Sequence, residues 1–320
     1  MKDPKTLFLT SIANLGKGFL DVFTSLSDMV AGAFGIKADT KKSDIGQYFI
    51  DIANTMNTVK KKLQTEVAAN GNYSKIKTIV EHFITNTLDK IAEGATTDSA
   101  IGDATKDGQD PAPADVASVN SLIKGIKIIV DVVLKKDEGS AEATKTAESE
   151  QKSIGKLFGG KDNGGEEAQA AAASASIGAV TGADILQAIA KSGETADNIK
   201  DIEAATGAAS IAAAKKDDNK EIKDEAAKKD AVIAAGIALR AMAKDGKFAA
   251  KNNEEKSAHA VNGAAASAVG KTLSTLIIAI RNTVDSGLKS INAVLATVTQ
   301  EDKSADSTTL VDATASRQQQ

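Results

Sequence analysis

The chain has no cysteine in its 320 residues. That excludes a disulfide framework, a thiolate nucleophile and any metal site built on sulfur. Tryptophan is also absent, aromatics make up 3% and proline occurs three times. So few aromatics predict a thin core, suited to helices that approach closely through small side chains. Scarce proline permits long uninterrupted helices. No unbroken run reaches the roughly 18 apolar residues of a membrane span, so we expect no helix that crosses a bilayer. A basic excess is missing too: 39 Lys and Arg stand against 43 Asp and Glu, a net charge of −4. Nucleic-acid binders normally show the reverse, so no nucleic-acid partner is expected. The two histidines, His82 and His259, have no ligand-type neighbours at metal spacing and read as ordinary helix-surface or half-buried residues. No metal and no other cofactor is expected.

What the chain does have is helical periodicity. Phe8, Ile12, Leu15, Phe19, Val22, Leu26 and Met29 alternate spacings of four and three, which lays one apolar stripe along a helix face. Gly32 and Gly35 end it. Ser43 or Asp44 is placed to cap a second helix, with Gln47 as capping-box partner. Ile45, Phe49, Ile52, Met56, Val59 and Leu63 form its stripe. Asn70-Gly71-Asn72 reads as a turn, and a third helix carries Tyr73, Ile76, Val80, Phe83, Leu88 and Ile91. Polar residues 94–114, with Pro111 and Pro113, predict a loop. Asp115 then opens a helix with Val116, Val119, Ile123, Ile126, Val130 and Val133 inward. Its β-branched run from Ile126 to Val133 comes nearest to a strand, yet Lys127 and Asp131 sit at helical spacing. Residues 135–150 read as a solvated helix or loop, and the Gly-rich stretch 159–165 as a flexible loop. Ala-rich segments near 168–191 and 195–214 predict two short helices bounded by Gly178, Gly182, Gly193 and Gly207. A last stripe runs from Val261 to Val298. The patternless polar residues 301–320 predict a flexible tail. The fold class is therefore all-α.

Three chemical motifs fail on context. Ala265–Thr272 fits a relaxed phosphate-loop pattern, but it lies inside a helical stripe with no preceding strand or glycine-rich bend. Asp103, Thr105, Asp107 and Gly108 resemble the start of a calcium loop, but Ala114 stands where the bidentate glutamate belongs. Asn72-Tyr73-Ser74 is a formal glycosylation acceptor and reads as coincidence. No nucleophile, acid and base come together in sequence, so the chain is not expected to be an enzyme. Lysines cluster at 60–62, 135–136, 215–216 and 228–229. They read either as solvated faces or, at Lys60, Lys61 and Lys62, as a site for a sulfated polyanion.

The most informative stretch is Lys228–Ala249. It is Ala-rich, with Ile233, Ile237 and Ala241 four apart and Asp245-Gly246 placed to stop a helix. Its small residues Ala234, Ala235, Gly236 and Ala238 leave little bulk on the other faces. We therefore expect a central strut enclosed by other helices.

This stretch closely resembles the core segment of the variable large proteins, surface lipoproteins of relapsing-fever Borrelia. The related variable surface lipoprotein of Lyme-disease Borrelia carries a similar segment. The blocks Leu15–Phe23, Lys42–Gly46, Lys152–Phe158 and Leu276–Arg281 extend the resemblance to essentially the whole chain. The resemblance implies an elongated helical bundle whose N- and C-terminal helices pack together near the membrane, with a loop-rich distal end. On that basis residues 1–300 form a single elongated domain and 301–320 a flexible tail. It also implies an outer-surface lipoprotein that serves antigenic variation, with host antibodies as partners. Anchoring would be to the bacterial outer membrane through an N-terminal lipid. The lipid-bearing cysteine and secretory leader are expected upstream of Met1. The alternative is an adhesin that binds host glycosaminoglycan or plasma proteins through Lys60, Lys61 and Lys62.

Overall fold

A computed structural model describes residues 42–69, 74–89, 108–194, 201–218 and 221–298, together with Thr10, Ala13, Ile36, Lys37 and Thr40. Nine α-helices are found among them. They are α1 (Lys42–Ala69), α2 (Ser74–Phe83), α3 (Val116–Val133), α4 (Glu148–Ser153), α5 (Glu167–Ala179), α6 (Gly182–Lys191), α7 (Ala208–Ala212), α8 (Asp230–Met242) and α9 (Glu255–Thr297). No β-strand occurs among the described residues. Extended chain meets only in isolated bridges, Gln109 with Ala250, Ala112 with Lys247 and Asp201 with Lys215.

The chain divides into two compact units, one of Met1–Ser27, Thr55–Asp89 and Thr283–Gln320, the other of Asp28–Asn54 and Lys90–Asn282. In the first, α1 buries Met56, Val59 and Leu63, α2 buries Ile76, Val80 and Phe83, and the end of α9 buries Val284, Leu288, Ile291 and Leu295. These are the large residues of the sequence stripes. A π-helical turn, Ile84–Leu88, continues α2. The wider turn accounts for the five-residue step from Phe83 to Leu88, which an α-helix would rotate off the stripe.

In the second unit α8 packs against α3, α5, α6 and α7. Asp115 caps α3 as its sequence suggests, its carboxylate accepting the Ser118 N–H at 2.8 Å. Lys127 and Asp131 pair along that helix at 3.0 Å. Thr181 caps α6, and Asp184 returns a bond to the Thr181 N–H at 2.8 Å.

Several expectations need correction. α1 already includes Ser43 and Asp44, and the Gln47 amide donates forward to Asp51 at 2.8 Å. The Ala-rich region holds three α-helices rather than two, because the 97° bend between α5 and α6 falls just before Gly182. One window of α9 reaches a mean hydropathy of 1.5, so length and composition alone would let it cross a membrane. More than half of that window, 56%, is buried inside the protein, as in a core helix. The predicted first helix apart from Thr10 and Ala13, the turn at Asn70–Asn72, the first part of the 94–114 loop and the tail lie outside the described residues. The pairing of the end helices rests on that first helix and lies outside them too.

Candidate functional site

Every residue of α8 except Val232 is buried. Its composition explains this. Alanine and glycine keep the helix thin, so neighbours can close on all its sides instead of on one stripe. Ile233, Ile237 and Ala241 line one face as the sequence suggests. Gly236 sets the approach of α7: a Cβ there would stand 2.5 Å from Ile211 Cγ2.

Each end of α8 carries a buried ion. Asp230, fully buried in the first turn, accepts from the Lys145 N–H (2.5 Å), the Thr146 N–H (2.8 Å), the Thr146 hydroxyl (2.6 Å) and the Ser176 hydroxyl (2.7 Å). Desolvation pushes its pKa up, but these hydrogen bonds outweigh it and hold the carboxyl below its ordinary value. Arg240, fully buried in the last turn, donates Nε–H to the Lys247 carbonyl and one terminal nitrogen to the carbonyls of Ala212 and Ala214, each at 2.9 Å. Its guanidinium lies 4.7 Å from the Phe158 ring centre and 5.7 Å from that of Phe248. Burial pushes its pKa down to about 9. Both ions are held by neutral dipoles, and the helix macrodipole favours an anion at the start and a cation at the end.

Beyond α8 the chain turns at Asp245, which has a φ of 63°. Residues 247–252 then run as an extended strap between two other segments. On one side, Ala112 and Lys247 exchange backbone bonds of 3.2 and 2.9 Å, and Gln109 and Ala250 exchange bonds of 3.0 and 2.9 Å. On the other side, the N–H groups of Ala249, Lys251 and Asn252 reach the carbonyls of Leu157, Gly165 and Lys161 at 2.8, 3.1 and 2.9 Å. Gly165, with a φ of 71°, allows the contact: a Cβ would stand 2.4 Å from the Ala249 carbonyl oxygen.

Side chains complete the clasp. Asp218 accepts the Gly160 N–H at 2.6 Å. Asp110 accepts the Lys161 N–H at 3.0 Å and pairs with Lys216 at 3.1 Å. Lys251 reaches Glu166 and the Asp162 carbonyl, both at 3.0 Å. The 159–165 stretch, expected as a flexible loop, is thus clasped through its backbone. Gly159, Gly160, Gly164 and Gly165 are buried, while Asp162 and Asn163 are exposed.

The lysine clusters scatter. Lys60 is engaged by Asp89 at 2.6 Å, and Lys61 and Lys62 are exposed on the turn that follows. Consecutive helical residues point about 100° apart, so the three do not share one face. Lys228 is no solvated face: its side chain is 5% exposed and clasped by Glu148 at 2.6 Å and Glu225 at 2.5 Å. Lys135, Lys136, Lys215 and Lys216 are exposed. The phosphate-loop look-alike lies within α9. There Lys271 donates to the Ile177 carbonyl at 2.8 Å and to that of Val180, satisfying the end of α5. The Thr272 hydroxyl bonds the Ala268 carbonyl at 2.7 Å. His82 and His259 are exposed. The first calcium-loop positions and Asn72-Tyr73 lie outside the described residues. Among the described residues no three metal-ligand side chains cluster.

The model of the Borrelia lipoprotein family matches residues 19–295. Variable large protein 4 of Borrelia hermsii is 65% identical over 331 residues, covering 99% of this chain and 93% of that protein. The chain belongs to the variable large proteins of this lipoprotein family. Variable large protein 17 of the same organism is 62% identical, over 99% of this chain and 92% of that protein. The crystal structure of the Lyme disease variable surface antigen VlsE of Borrelia burgdorferi matches with a TM-score of 0.75 at 36% identity, over 91% of this chain and all of that one. In this variable large protein, then, sequence reasoning found the buried helix but missed Asp230, Arg240 and Lys271. All three are charged residues: Arg240 and Lys271 bond backbone carbonyls, which leave no mark in a sequence, and Asp230 bonds N–H groups and side chains from distant segments.

Proposed function

We propose that the chain is a lipid-anchored antigen of the bacterial outer surface, where host antibodies meet it and replacement by a related protein evades them. The observation that carries this reading is a division within one fold. The segment by which the family is recognised, α8, is closed off from solvent, and the loops around it present charged and polar side chains. Its relatives are variable large proteins, and its structural neighbour is a variable surface antigen. Loops bury little and accept sequence change, whereas a helix packed on all sides does not. A protein that must change its face while keeping its frame needs that arrangement. No catalytic role is assigned. Lys60, Lys61 and Lys62 do not carry an adhesin reading, given the Asp89 partner of Lys60 and the spread of the other two.

The test uses cells that express the protein. Protease added to intact cells should remove it, and antibodies raised against the folded chain should stain them. The same antibodies should not stain cells that carry a relative differing at the exposed loops. Protection from protease together with absence of staining would overturn the reading.

A further inference from the structure

The dipeptide Asn-Gly, in which an asparagine carboxamide stands next to an amide nitrogen with no Cβ in its way, occurs at 70–71, 163–164 and 262–263. The first pair lies outside the described residues. The third lies inside α9. There a helical N–H is held by the carbonyl four residues back, and side chains tilt toward the helix start, away from the following nitrogen. The second pair sits at the tip of the 159–165 stretch, outside any helix, and Asn163 is exposed. The N–H groups of Asn163 and Gly164 both donate to the Gly160 carbonyl, at 3.1 and 2.8 Å, and the chain then leaves through Gly165 with its φ of 71°. Glycine at 164 is required by packing: a Cβ would stand 2.2 Å from the Lys156 carbonyl oxygen. With asparagine before it, the fold itself keeps an unhindered nitrogen beside an exposed carboxamide.

We propose that Asn163 is a self-modification site, at which the chain converts asparagine to aspartate and isoaspartate at a rate set by opening of this turn. The proposal does not depend on where the chain is displayed. In the first step the Gly164 nitrogen attacks Asn163 Cγ. A bond from that nitrogen to Cγ forms, the bond from Cγ to Nδ2 breaks, and the proton of Gly164 leaves with the side-chain nitrogen as ammonia. Water then adds to one of the two carbonyls of the five-membered imide. Opening at Cγ restores the ordinary backbone and leaves an aspartate. Opening at the main-chain carbonyl leaves isoaspartate, with the backbone running through Cβ and Cγ. Before the attack, the Gly164 N–H must leave the Gly160 carbonyl. The Gly160 and Lys161 N–H groups are themselves held by Asp218 at 2.6 Å and Asp110 at 3.0 Å. Local opening of these bonds therefore precedes the chemistry. The products differ in consequence. Aspartate adds a negative charge beside Asp162. Isoaspartate lengthens the backbone by one carbon between the two N–H groups that share the Gly160 carbonyl, and draws Gly165 away from Lys251.

The full-length chain would be incubated folded at mildly alkaline pH, and its peptides mapped over time by mass, with isoaspartate detected by an isoaspartyl methyltransferase. Asn163 should convert about tenfold faster than Asn262 or more, a difference that the fold alone imposes on two identical dipeptides. In urea the two should convert at similar rates. Asp218→Ala and Asp110→Ala each free one N–H of the tip, and at least one of them should speed conversion at Asn163 several-fold while circular dichroism stays helical. Asn163→Gln, whose longer side chain closes a less favourable six-membered ring, should abolish isoaspartate in that peptide. An Asn163 that stays intact, or converts no faster than Asn262 in the folded chain, would overturn the proposal. Conversion at one unchanged rate in the wild type and in both aspartate variants would overturn the gating by the turn.

Discussion

In α8 every residue but Val232 is out of solvent, whereas α9 buries a stripe and leaves Ile278 41% exposed. Both are regular helices in a chain poor in aromatics. The difference lies in side-chain size. α9 uses Leu, Ile and Val at spacings of three and four, so one face holds the apolar bulk and the other can meet water. α8 interleaves Ile and Leu with Ala and Gly, and its thin wall lets α3, α5, α6 and α7 surround it. A surrounded helix must also dispose of its charges internally, and α8 does so with backbone carbonyls at Arg240 and with hydroxyls and N–H groups at Asp230. On the display role proposed above, the contrast separates a part closed to solvent from one open to it.

The largest effect should come from removing the buried cation. Arg240→Met keeps the length and apolar stem but removes three charge-assisted hydrogen bonds, to the carbonyls of Ala212, Ala214 and Lys247; the Ala114 and Ala112 N–H groups still serve Ala212 and Lys247. A hydrogen bond to a charged group contributes about 1.5–3 kcal/mol, partly offset here because no charge is buried any longer, so a net loss of about 3–5 kcal/mol is expected. Urea unfolding measures it. An unchanged midpoint would mean that the strap finds other partners and that the cation is dispensable. Next comes Ile237→Ala, which should cost about 2–5 kcal/mol because the helices around it cannot all close on the cavity. A loss below about 0.5 kcal/mol would place α8 among surface helices and erase the contrast with α9.

The acid end sharpens the same comparison with a smaller effect. Hydrogen bonds hold the Asp230 carboxyl below its ordinary value, so its contribution is fully present above the unfolded carboxylate pKa of about 3.9. It is lost as pH falls through the lower folded value. Asp230→Asn removes that titration. The stability gap between wild type and variant should therefore narrow as pH drops from about 5 toward 2, by thermal unfolding at each pH. A gap that widens on acidification would show that burial, not hydrogen bonding, dominates at this carboxyl.

How much of this was legible in the sequence follows from what leaves a pattern. Large apolar residues at helical spacing do, so Ile45 to Leu63 and Leu273 to Val298 read directly. The π-turn does not: Phe83 and Leu88 read as one α-helical stripe despite their five-residue step. The enclosure of α8 was readable from the small residues around Ile233 and Ile237. The strap was not, since its bonds join backbone groups and any side chain can stand at Lys247 or Ala250. Charged residues are usually exposed, so Lys228 reads as part of a solvated face, and nothing in the sequence singles out Asp230 or Arg240. The Gly-rich 159–165 stretch misled for a related reason: glycine marks both a loose loop and a backbone pressed against another. Only the approach of Ala249 to Gly165 decides which.

The smallest effect is expected at Ile278, and it is the control that gives Ile237→Ala its meaning. The two truncations remove the same atoms from the same residue type in a helix. Alanine has the better helix propensity, by a few tenths of a kcal/mol. Ile278 has less apolar surface to lose on truncation, since 41% of the residue already faces water. Propensity and partial burial oppose each other, so Ile278→Ala should change stability by no more than about 0.5 kcal/mol in either direction. The ratio of the two effects, rather than either alone, measures how much being surrounded adds to being helical. If Ile278→Ala destabilised as much as Ile237→Ala, both faces of α9 would be packed in solution and the division between a closed helix and a half-open one would fail.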